Sequence, residues 1–346
     1  MLLSLLLVLI FVLSLYRADF RFLGFNDDCL SKYRTDSIKG IFILLIVLTH
    51  SLQYVLASGY AFDGVGDRAY FYFLTTLNQL VVVMFLFYSG YGIGESFKKK
   101  GADYVKSMPK HRVLGTLLNF DVAVIVFIIA CLALGITVTL RQCLLSFVAW
   151  DSVGNSEWYI FVILTCYILS YLTLTIVPKK SGLQVGVMIA LCLLTIVALS
   201  FFKHSWWYNT LLSYPTGFAF SAYKDKAEVF LKKYYWPLLV LLCLALVSLH
   251  LCTYVFDHMG LVYNAKSIVF AFLILMITLK CSVGNSVLEW FGKNLFPVYI
   301  YMRLPMMVIE HKSPGLITVQ PAVFIIVSFA LTVLIASLYK FWQIRL

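Results

Sequence analysis

Charged side chains are scarce in this sequence, and cysteines spaced to hold a metal ion are missing. Only 12% of the 346 residues are charged, against about 25% in ordinary soluble proteins, which excludes an ordinary soluble fold. None of the eight cysteines belongs to a Cys-x-x-Cys pair, so we expect neither a metal site nor a disulfide framework. No stretch between the apolar runs is long enough to bury a core of its own, so we expect no separate soluble domain.

Apolar residues dominate instead. Hydrophobic residues make up 62% of the chain, and the mean hydropathy is +0.92. Runs close to the roughly 17–25 residues that span a bilayer recur from end to end, which predicts an all-α, polytopic transmembrane bundle of about eleven helices. The runs are 1–16, 38–56, 77–95, 113–136, 158–177, 183–202, 206–223, 236–255, 265–280, 290–310 and 317–339.

The first apolar run differs from a signal peptide in two respects. No charged residue precedes Arg17, and no cleavage site of the small-x-small type follows the run. A signal peptide needs both features, so we expect a retained helix. The domain boundaries predicted are 1–29 for this helix and a cytoplasmic linker, and 30–346 for the main transmembrane domain.

Basic residues are distributed unevenly between the two ends of the predicted helices. When the loops are assigned alternately to the two sides, Arg303 falls inside a span and one side receives few of the 27 Lys and Arg residues. These few are Arg68, Arg141, Lys203, Lys266 and Lys312, and the larger set includes Lys179 and Lys180. The positive-inside rule then predicts an N-terminus outside and a cytoplasmic C-terminus. Topology and anionic lipid account for the net charge, so the lipid bilayer is an expected partner and nucleic acid is not.

Lys39 and His50 are separated by ten uncharged residues. Eleven steps along an α-helix make about three turns, so both residues lie on one stripe, roughly 16 Å apart along the axis. A histidine within a span is costly and indicates function, although a hydrogen bond to a neighbouring helix is the simpler alternative. Desolvation favours the neutral imidazole, which can act as a general base. Lys39 either pairs with Asp36 at the helix mouth or holds an anionic ligand.

The loop 98–112 carries six Lys or Arg residues and a histidine. Positive-inside charge explains it fully, but the same cluster would also bind a phosphate-rich molecule through charge-assisted hydrogen bonds. Arg112 begins the next span and is the member that we expect to point inward, with Lys110 beside it. In the preceding span, Gly90 and Gly94 form a Gly-x-x-x-Gly pattern, which favours close helix packing.

Polar and aromatic residues also mark two later spans. Glu157, Trp158 and Tyr159 open the span 158–177. The aromatic pair suits an interfacial belt, and the carboxylate is able to orient a histidine or a sugar hydroxyl. Tyr299 and Arg303 make the proline-containing run 290–310 polar enough to line a cavity.

Five segments in order resemble the membrane acyltransferase-3 family, bacterial integral-membrane enzymes that acylate cell-surface sugars. The Lys39 and His50 spacing matches the family's Arg-x10-His pattern, with lysine in the arginine's place. The histidine position of the last segment holds Met302. The segments are Thr35–Ile41 with His50, Leu86–Tyr91, Lys110–Arg112, Trp158–Ile160 and Gly292–Met302.

The resemblance implies an acyltransferase that transfers groups other than aminoacyl groups, with a ten-helix core preceded by one extra helix. Its donor would be acyl-CoA, with acetyl-CoA the expected form, and its acceptor a hydroxyl of a surface polysaccharide or lipid-linked glycan. His50 would be the general base, with the protein in the bacterial plasma membrane. The other implied roles are catalytic for Glu157; donor-binding for Lys39, Lys110 and Arg112; substrate-binding for Trp158, Tyr159, Tyr299 and Arg303; structural for Asp36, Ser89 and Gly90.

Two alternatives remain at this point. A transporter or flippase of a sugar-containing or anionic substrate would also use a histidine inside the membrane, although no internal repeat is evident in the sequence. The second alternative is a family relative that has lost catalysis and serves as a sensor or scaffold.

Overall fold

The computed structural model describes residues 2–177, 181–255 and 260–346, which are almost entirely helical. The all-α class is confirmed. Lys179 and Lys180, which we assigned to the basic side, lie outside the described residues. The helices are α1 (Leu2–Leu15), α2 (Lys32–Ala57), α3 (Val65–Leu77), α4 (Val83–Lys100), α5 (Ala102–Met108), α6 (Gly115–Leu134), α7 (Leu140–Ser146), α8 (Trp158–Ile176), α9 (Ser181–Ser200), α10 (Ser213–Ala222), α11 (Lys224–Lys233), α12 (Tyr235–Val255), α13 (Gly260–Lys280), α14 (Ser286–Lys293), α15 (Leu295–Tyr301), α16 (Arg303–Lys312), α17 (Pro314–Val319) and α18 (Pro321–Leu338).

Within the described residues, eight helices are long and apolar enough to cross a membrane, so the chain is a multi-pass membrane protein. Helices α3 and α4 join through a 3-10 turn into one span, Val65–Lys100, and α5 joins α6 in another, Ala102–Leu134. Eight of the eleven predicted runs match these spans. The run 1–16 forms the 14-residue α1, and 206–223 contains the 10-residue α10.

The remaining run, 290–310, is divided into parts of three helices that meet at Asn294 and Met302. Proline explains both breaks, because it has no N–H with which to bond the carbonyl four residues earlier. Pro297 leaves the carbonyl of Lys293 without that bond, and α14 ends at Lys293. Pro305 does the same at Tyr301, where α15 ends.

Glycines bring two pairs of helices into backbone contact. Where α4 crosses α10, a Cβ atom on Gly90 would overlap the carbonyl oxygen of Tyr214. Where α2 crosses α14, a Cβ on Gly40 would overlap the carbonyl of Leu288, and one on Gly292 that of Asp36. Small residues permit such approaches in membrane proteins. The second crossing sets the basic start of α2 beside the end of α14.

The N-terminal helix is fastened to the bundle by backbone contacts. Asn285 donates side-chain hydrogen bonds to the carbonyls of Leu13 and Tyr16, at 2.9 and 3.3 Å. After α1, the short strand β1 (Asp19–Phe20) pairs antiparallel with β2 (Cys281–Ser282). These contacts tie the start of the chain to the α13–α14 connection.

Candidate active site

His50 lies at the wall of a cavity of about 590 Å³, which we call the His50 cavity. Helix α2 positions the residue two turns before its C-terminal end, and the side chain is only 8% exposed. The imidazole Nδ1 is buried without a hydrogen-bond partner in the described part of the chain. Gln53, three residues later, and Arg303 from α16 are its polar neighbours. One ring nitrogen beside the cavity is therefore unpartnered but covered, and it can exchange a proton with a bound molecule only after neighbouring side chains move.

Glu157 and Arg303 supply opposite charges to the wall of the His50 cavity. Burial raises the pKa of the Glu157 carboxyl above its ordinary range, although the positive charge of Arg303 acts in the opposite direction. Trp158, the first residue of α8, lines the same cavity. Glu157 is not hydrogen-bonded to His50 Nδ1, so the two side chains line the same cavity without a direct bond through that nitrogen.

A second cavity, of about 780 Å³, opens near the other end of α2. We call it the basic cavity, because Lys39, Arg112, Lys293 and Lys340 all line it. They come from α2, the turn before α6, α14 and the end of the α18 span, which the fold brings to one end of the bundle. Such a cluster suits a molecule that carries several phosphates.

Two of these four cations are already paired with carboxylates on their own helices. Lys39 Nζ lies 2.6 Å from Asp36 Oδ1, and Lys293 Nζ lies 2.6 Å from Glu289 Oε1. The predicted pairing of Asp36 with Lys39 is thus present. An anion bound by Lys39 has to compete with Asp36 or share the ammonium with it.

Arg112 has no ion pair with a carboxylate in the ranges that the structure describes. Its guanidinium instead lies 5.9 Å from the ring centroid of Tyr167. Lys110 is exposed and does not line the basic cavity. Residues two apart on a helix do not face the same way, so Lys110, which we expected to bind the donor beside Arg112, is placed apart from it and outside the basic cavity. Ser89 lines this cavity, whereas Gly90 packs on α10.

The C-terminal segment closes part of the basic cavity. Asn119 Nδ2 donates to the carbonyl of Ile344 at 2.9 Å, and Asn119 Oδ1 accepts from the Ile344 amide at 2.9 Å. The hydroxyl of Tyr339 donates to the same oxygen at 2.8 Å. Gln343, Ile344 and Leu346 consequently form one wall of the cavity.

Aromatic rings lie between the two cavities. The Tyr299 ring makes edge contacts with His50 on one side, at 6.4 Å between centroids, and with Tyr159 on the other, at 5.3 Å. Phe85 lies 6.1 Å beyond Tyr159, and these two residues line the basic cavity. We call Phe85, Tyr159 and Tyr299 the aromatic partition. Tyr299 is 1% exposed, so the partition is closed in this structure.

The sequence model of the acyltransferase-3 family, described as an acyltransferase domain, matches residues 32–340. The chain belongs to this family. It is therefore a membrane acyltransferase, and the resemblance predicted from the five segments is confirmed. Helix α1 precedes the matched residues. No curated protein and no solved structure matched the chain.

The acyltransferase divides its sequence-predicted site residues between the two cavities. His50, Glu157, Trp158 and Arg303 meet in the His50 cavity. The basic cavity collects Lys39, Ser89, Arg112 and Tyr159. The predicted substrate-binding residues are therefore separated. Trp158 and Arg303 line the His50 cavity, Tyr159 lines the basic cavity, and Tyr299 belongs to the partition between the cavities.

The sequence analysis missed several residues that line these cavities. Lys266 is the second residue of the predicted run 265–280, so the sequence analysis counted it with the charges of the preceding loop. In the structure α13 already begins at Gly260, and Lys266 is buried. Lys293 and Lys340 were treated as topological charge only. Among the described residues, no group of three His, Cys, Asp or Glu side chains is arranged to hold a metal ion.

Proposed function

We propose that this acyltransferase moves an acyl group, expected to be acetyl, from acyl-CoA to a hydroxyl of a cell-surface glycan or glycolipid. Acyl-CoA binds in the basic cavity and the acceptor in the His50 cavity. The observation that carries the proposal is the arrangement of two polar cavities along one helix, α2, with the aromatic partition between them. Family membership supplies the acyl-transfer chemistry.

The charges of the basic cavity support a donor rich in phosphates. Arg112 and Lys340 have no carboxylate partner among the described residues, so both are available to phosphate oxygens. An arginine offers a planar, two-pronged donor that suits phosphate. The narrow thioester arm would pass the partition, which requires the rings of Tyr159 and Tyr299 to move.

His50 is the proposed general base. The acceptor hydroxyl gives its proton to the unpartnered imidazole nitrogen as its oxygen forms a C–O bond with the thioester carbon. The C–S bond breaks, and the imidazolium returns the proton to the departing thiolate. Atoms and charges balance without a metal or a redox partner. Glu157, with a raised pKa, and Arg303 set the charge around this step.

The proposed location is the bacterial plasma membrane, with the basic cavity on the cytoplasmic side. The lysine-rich end of α4 and Lys340 lie at the same end of the bundle as that cavity. The positive-inside rule supports this orientation. It gives acyl-CoA access from the cytoplasm and acceptor glycans access from outside.

A transporter or flippase is the second candidate, because a cavity on each side of a closed barrier is also what alternating access requires. The two candidates differ in the fate of the acyl group. Only an acyltransferase moves labelled acyl from CoA to glycan.

The proposal is tested with proteoliposomes supplied with radiolabelled acetyl-CoA and surface glycan. Wild type, His50→Gln and the control His311→Gln are compared, since His311 is exposed and lines neither cavity. We expect label on glycan with wild type and the control, and a loss of roughly 10²- to 10⁴-fold with His50→Gln. Elution profiles in detergent verify folding. Equal transfer by His50→Gln removes His50 from the chemistry, and transport of the glycan without acylation supports the second candidate.

A further inference from the structure

Lys266 is a buried cation in the wall of the His50 cavity. Its residue is 3% exposed, and α13 holds it more than one turn inside the helix. The ammonium donates to His250 Nδ1 at 3.0 Å and lies 4.8 Å from the ring centroid of Tyr263. No carboxylate forms an ion pair with it in the part of the chain that the structure describes.

Among the residues that the structure describes, no carboxylate compensates the charge of Lys266. Arg303 and Glu157 both line this cavity and interact electrostatically, and Arg303 also lines a neighbouring cavity of about 380 Å³ together with Glu310. Arg303 thus shares a cavity wall with each of two carboxyl groups. The described partners of Lys266 are instead a ring nitrogen of His250 and the aromatic ring of Tyr263. A buried ammonium without a counter-ion is unfavourable, so a bound anion would stabilise it.

The remaining wall is suited to a sugar. Thr75, Thr76 and Asn78 offer hydroxyl and amide groups, and Trp206 offers an aromatic face. Asn209, whose Nδ2 donates to Gln79 Oε1 at 3.2 Å, has a buried Oδ1 without a hydrogen-bond partner among the described residues. A buried acceptor oxygen without a donor is unfavourable, so a sugar hydroxyl that reached it through a small movement of the wall would satisfy it.

We propose that the acceptor is an acidic glycan, whose carboxylate or phosphate binds Lys266 while one of its hydroxyls lies against His50. This inference rests on the proposed function, since it names the class of acceptor for the same site. Lys266 then acts as a specificity residue. It selects acidic acceptors through the ion pair that a neutral sugar cannot form.

Binding to the purified full-length protein tests the acceptor class without requiring turnover. Three probes are titrated against tryptophan fluorescence: a trisaccharide containing glucuronic acid, the corresponding neutral glucose trisaccharide, and a glucose phosphate. We expect an acidic probe to bind wild type at least about tenfold more tightly than the neutral one, which corresponds to about 1.4 kcal/mol. Preference for the uronate or for the phosphate identifies which anionic group the site takes.

Variants assign the preference to Lys266. Lys266→Gln is expected to bind acidic and neutral probes alike, and Lys266→Arg to retain the preference and show that a positive charge is enough. Lys312→Gln removes a charge from an exposed position outside the cavity and should match wild type. Equal binding of all probes to wild type, or binding of none, overturns the inference. So does a preference that survives in Lys266→Gln.

The kinetics of acyl transfer to the same acceptors test the anion site and the proposed function separately. Acidic acceptors should show a lower KM than neutral ones with wild type, and Lys266→Gln should raise that KM and leave kcat nearly unchanged. Tight binding of an acidic probe without acyl transfer contradicts the proposed function and retains the anion site. Acyl transfer to neutral and acidic acceptors with the same KM retains the function and contradicts the anion site.

Discussion

Lys39 and His50 share one face of α2 but open into different cavities. The eleven residue steps from one to the other correspond to roughly 16 Å of helix, and the aromatic partition lies across that interval. Tyr299 contacts His50, and Tyr159 lines the basic cavity. One helix thus presents an anion-binding end and a proton-accepting end to two compartments.

The partition is expected to keep water and acceptor away from the donor until transfer. Replacing Tyr299 with leucine removes the ring that contacts both His50 and Tyr159. We predict that Tyr299→Leu hydrolyses acyl-CoA several-fold faster than wild type when no acceptor is present. Release of free CoA thiol measures the rate.

Tyr301→Leu is the matched control for the loss of a buried ring on the same helix. Tyr301 contacts Tyr339 and Trp342 rather than the partition. Its hydrolysis rate should remain at the wild-type level. If both variants hydrolyse acyl-CoA at the wild-type rate, Tyr299 does not separate the compartments.

Arg112 and Lys110 provide a direct test of the donor site, since only Arg112 lines the basic cavity. A hydrogen bond to a charged group contributes about 1.5–3 kcal/mol. We therefore predict that Arg112→Gln raises the KM for acyl-CoA roughly 10- to 100-fold. Lys110→Gln should leave it unchanged. Steady-state kinetics of both variants measure the difference.

A donor that lacks the nucleotide of CoA tests whether Arg112 acts by binding the phosphates. Acyl-pantetheine has the thioester but lacks the phosphates of CoA, so Arg112→Gln and wild type should use it equally well. An equal loss with both donors would indicate that Arg112 supports the fold rather than the phosphates. A rise in KM with Lys110→Gln would show that the exposed lysine also binds the donor.

Alanine substitutions at Gly90 and Gly92 distinguish the effect of close helix packing from that of helix propensity within α4. A Cβ on Gly90 would overlap the backbone of α10, and a Cβ on Gly92 meets no atom within 4 Å. Overpacking typically costs about 1–3 kcal/mol. We predict that Gly90→Ala lowers the Tm in detergent, and that Gly92→Ala leaves it unchanged or slightly higher. Equal Tm values for the two variants would contradict the close crossing of α4 and α10.

The sequence predicted the helical bundle well because length and apolarity determine which segments cross a membrane. It also singled out His50 as a candidate, which lines a cavity in the structure, since a titratable group inside a span is conspicuous. The sequence analysis missed Lys266 as a buried residue because its distance from the membrane surface depends on where α13 begins. The sequence analysis did not locate the helix breaks at Asn294 and Met302, although Pro297 and Pro305 indicated that the helix is irregular.

The division of the site into two cavities was beyond the reach of sequence patterns. It depends on which helices cross closely, and therefore on contacts such as that between Gly292 and the Asp36 backbone. The aromatic partition likewise joins Phe85, Tyr159 and Tyr299, which come from three separate helices. Periodicity along one helix cannot indicate which ring of another helix it will meet.

Glu157 is expected to make stability depend on pH with a defined sign. Because burial raises the pKa of this carboxyl in the folded protein, the folded state holds its proton at a pH where the unfolded chain, with a pKa of about 4.3, has lost it. Stability from this group is full below pH 4 and declines as the pH rises toward the raised folded value. Glu157→Gln has no such proton. We predict that the Tm of wild type falls relative to that of Glu157→Gln as the pH increases from about 4 through this range. Parallel Tm curves for the two proteins, or a wild type that gains stability over this range, would show that the carboxyl is ionised as easily in the folded protein as in the unfolded chain.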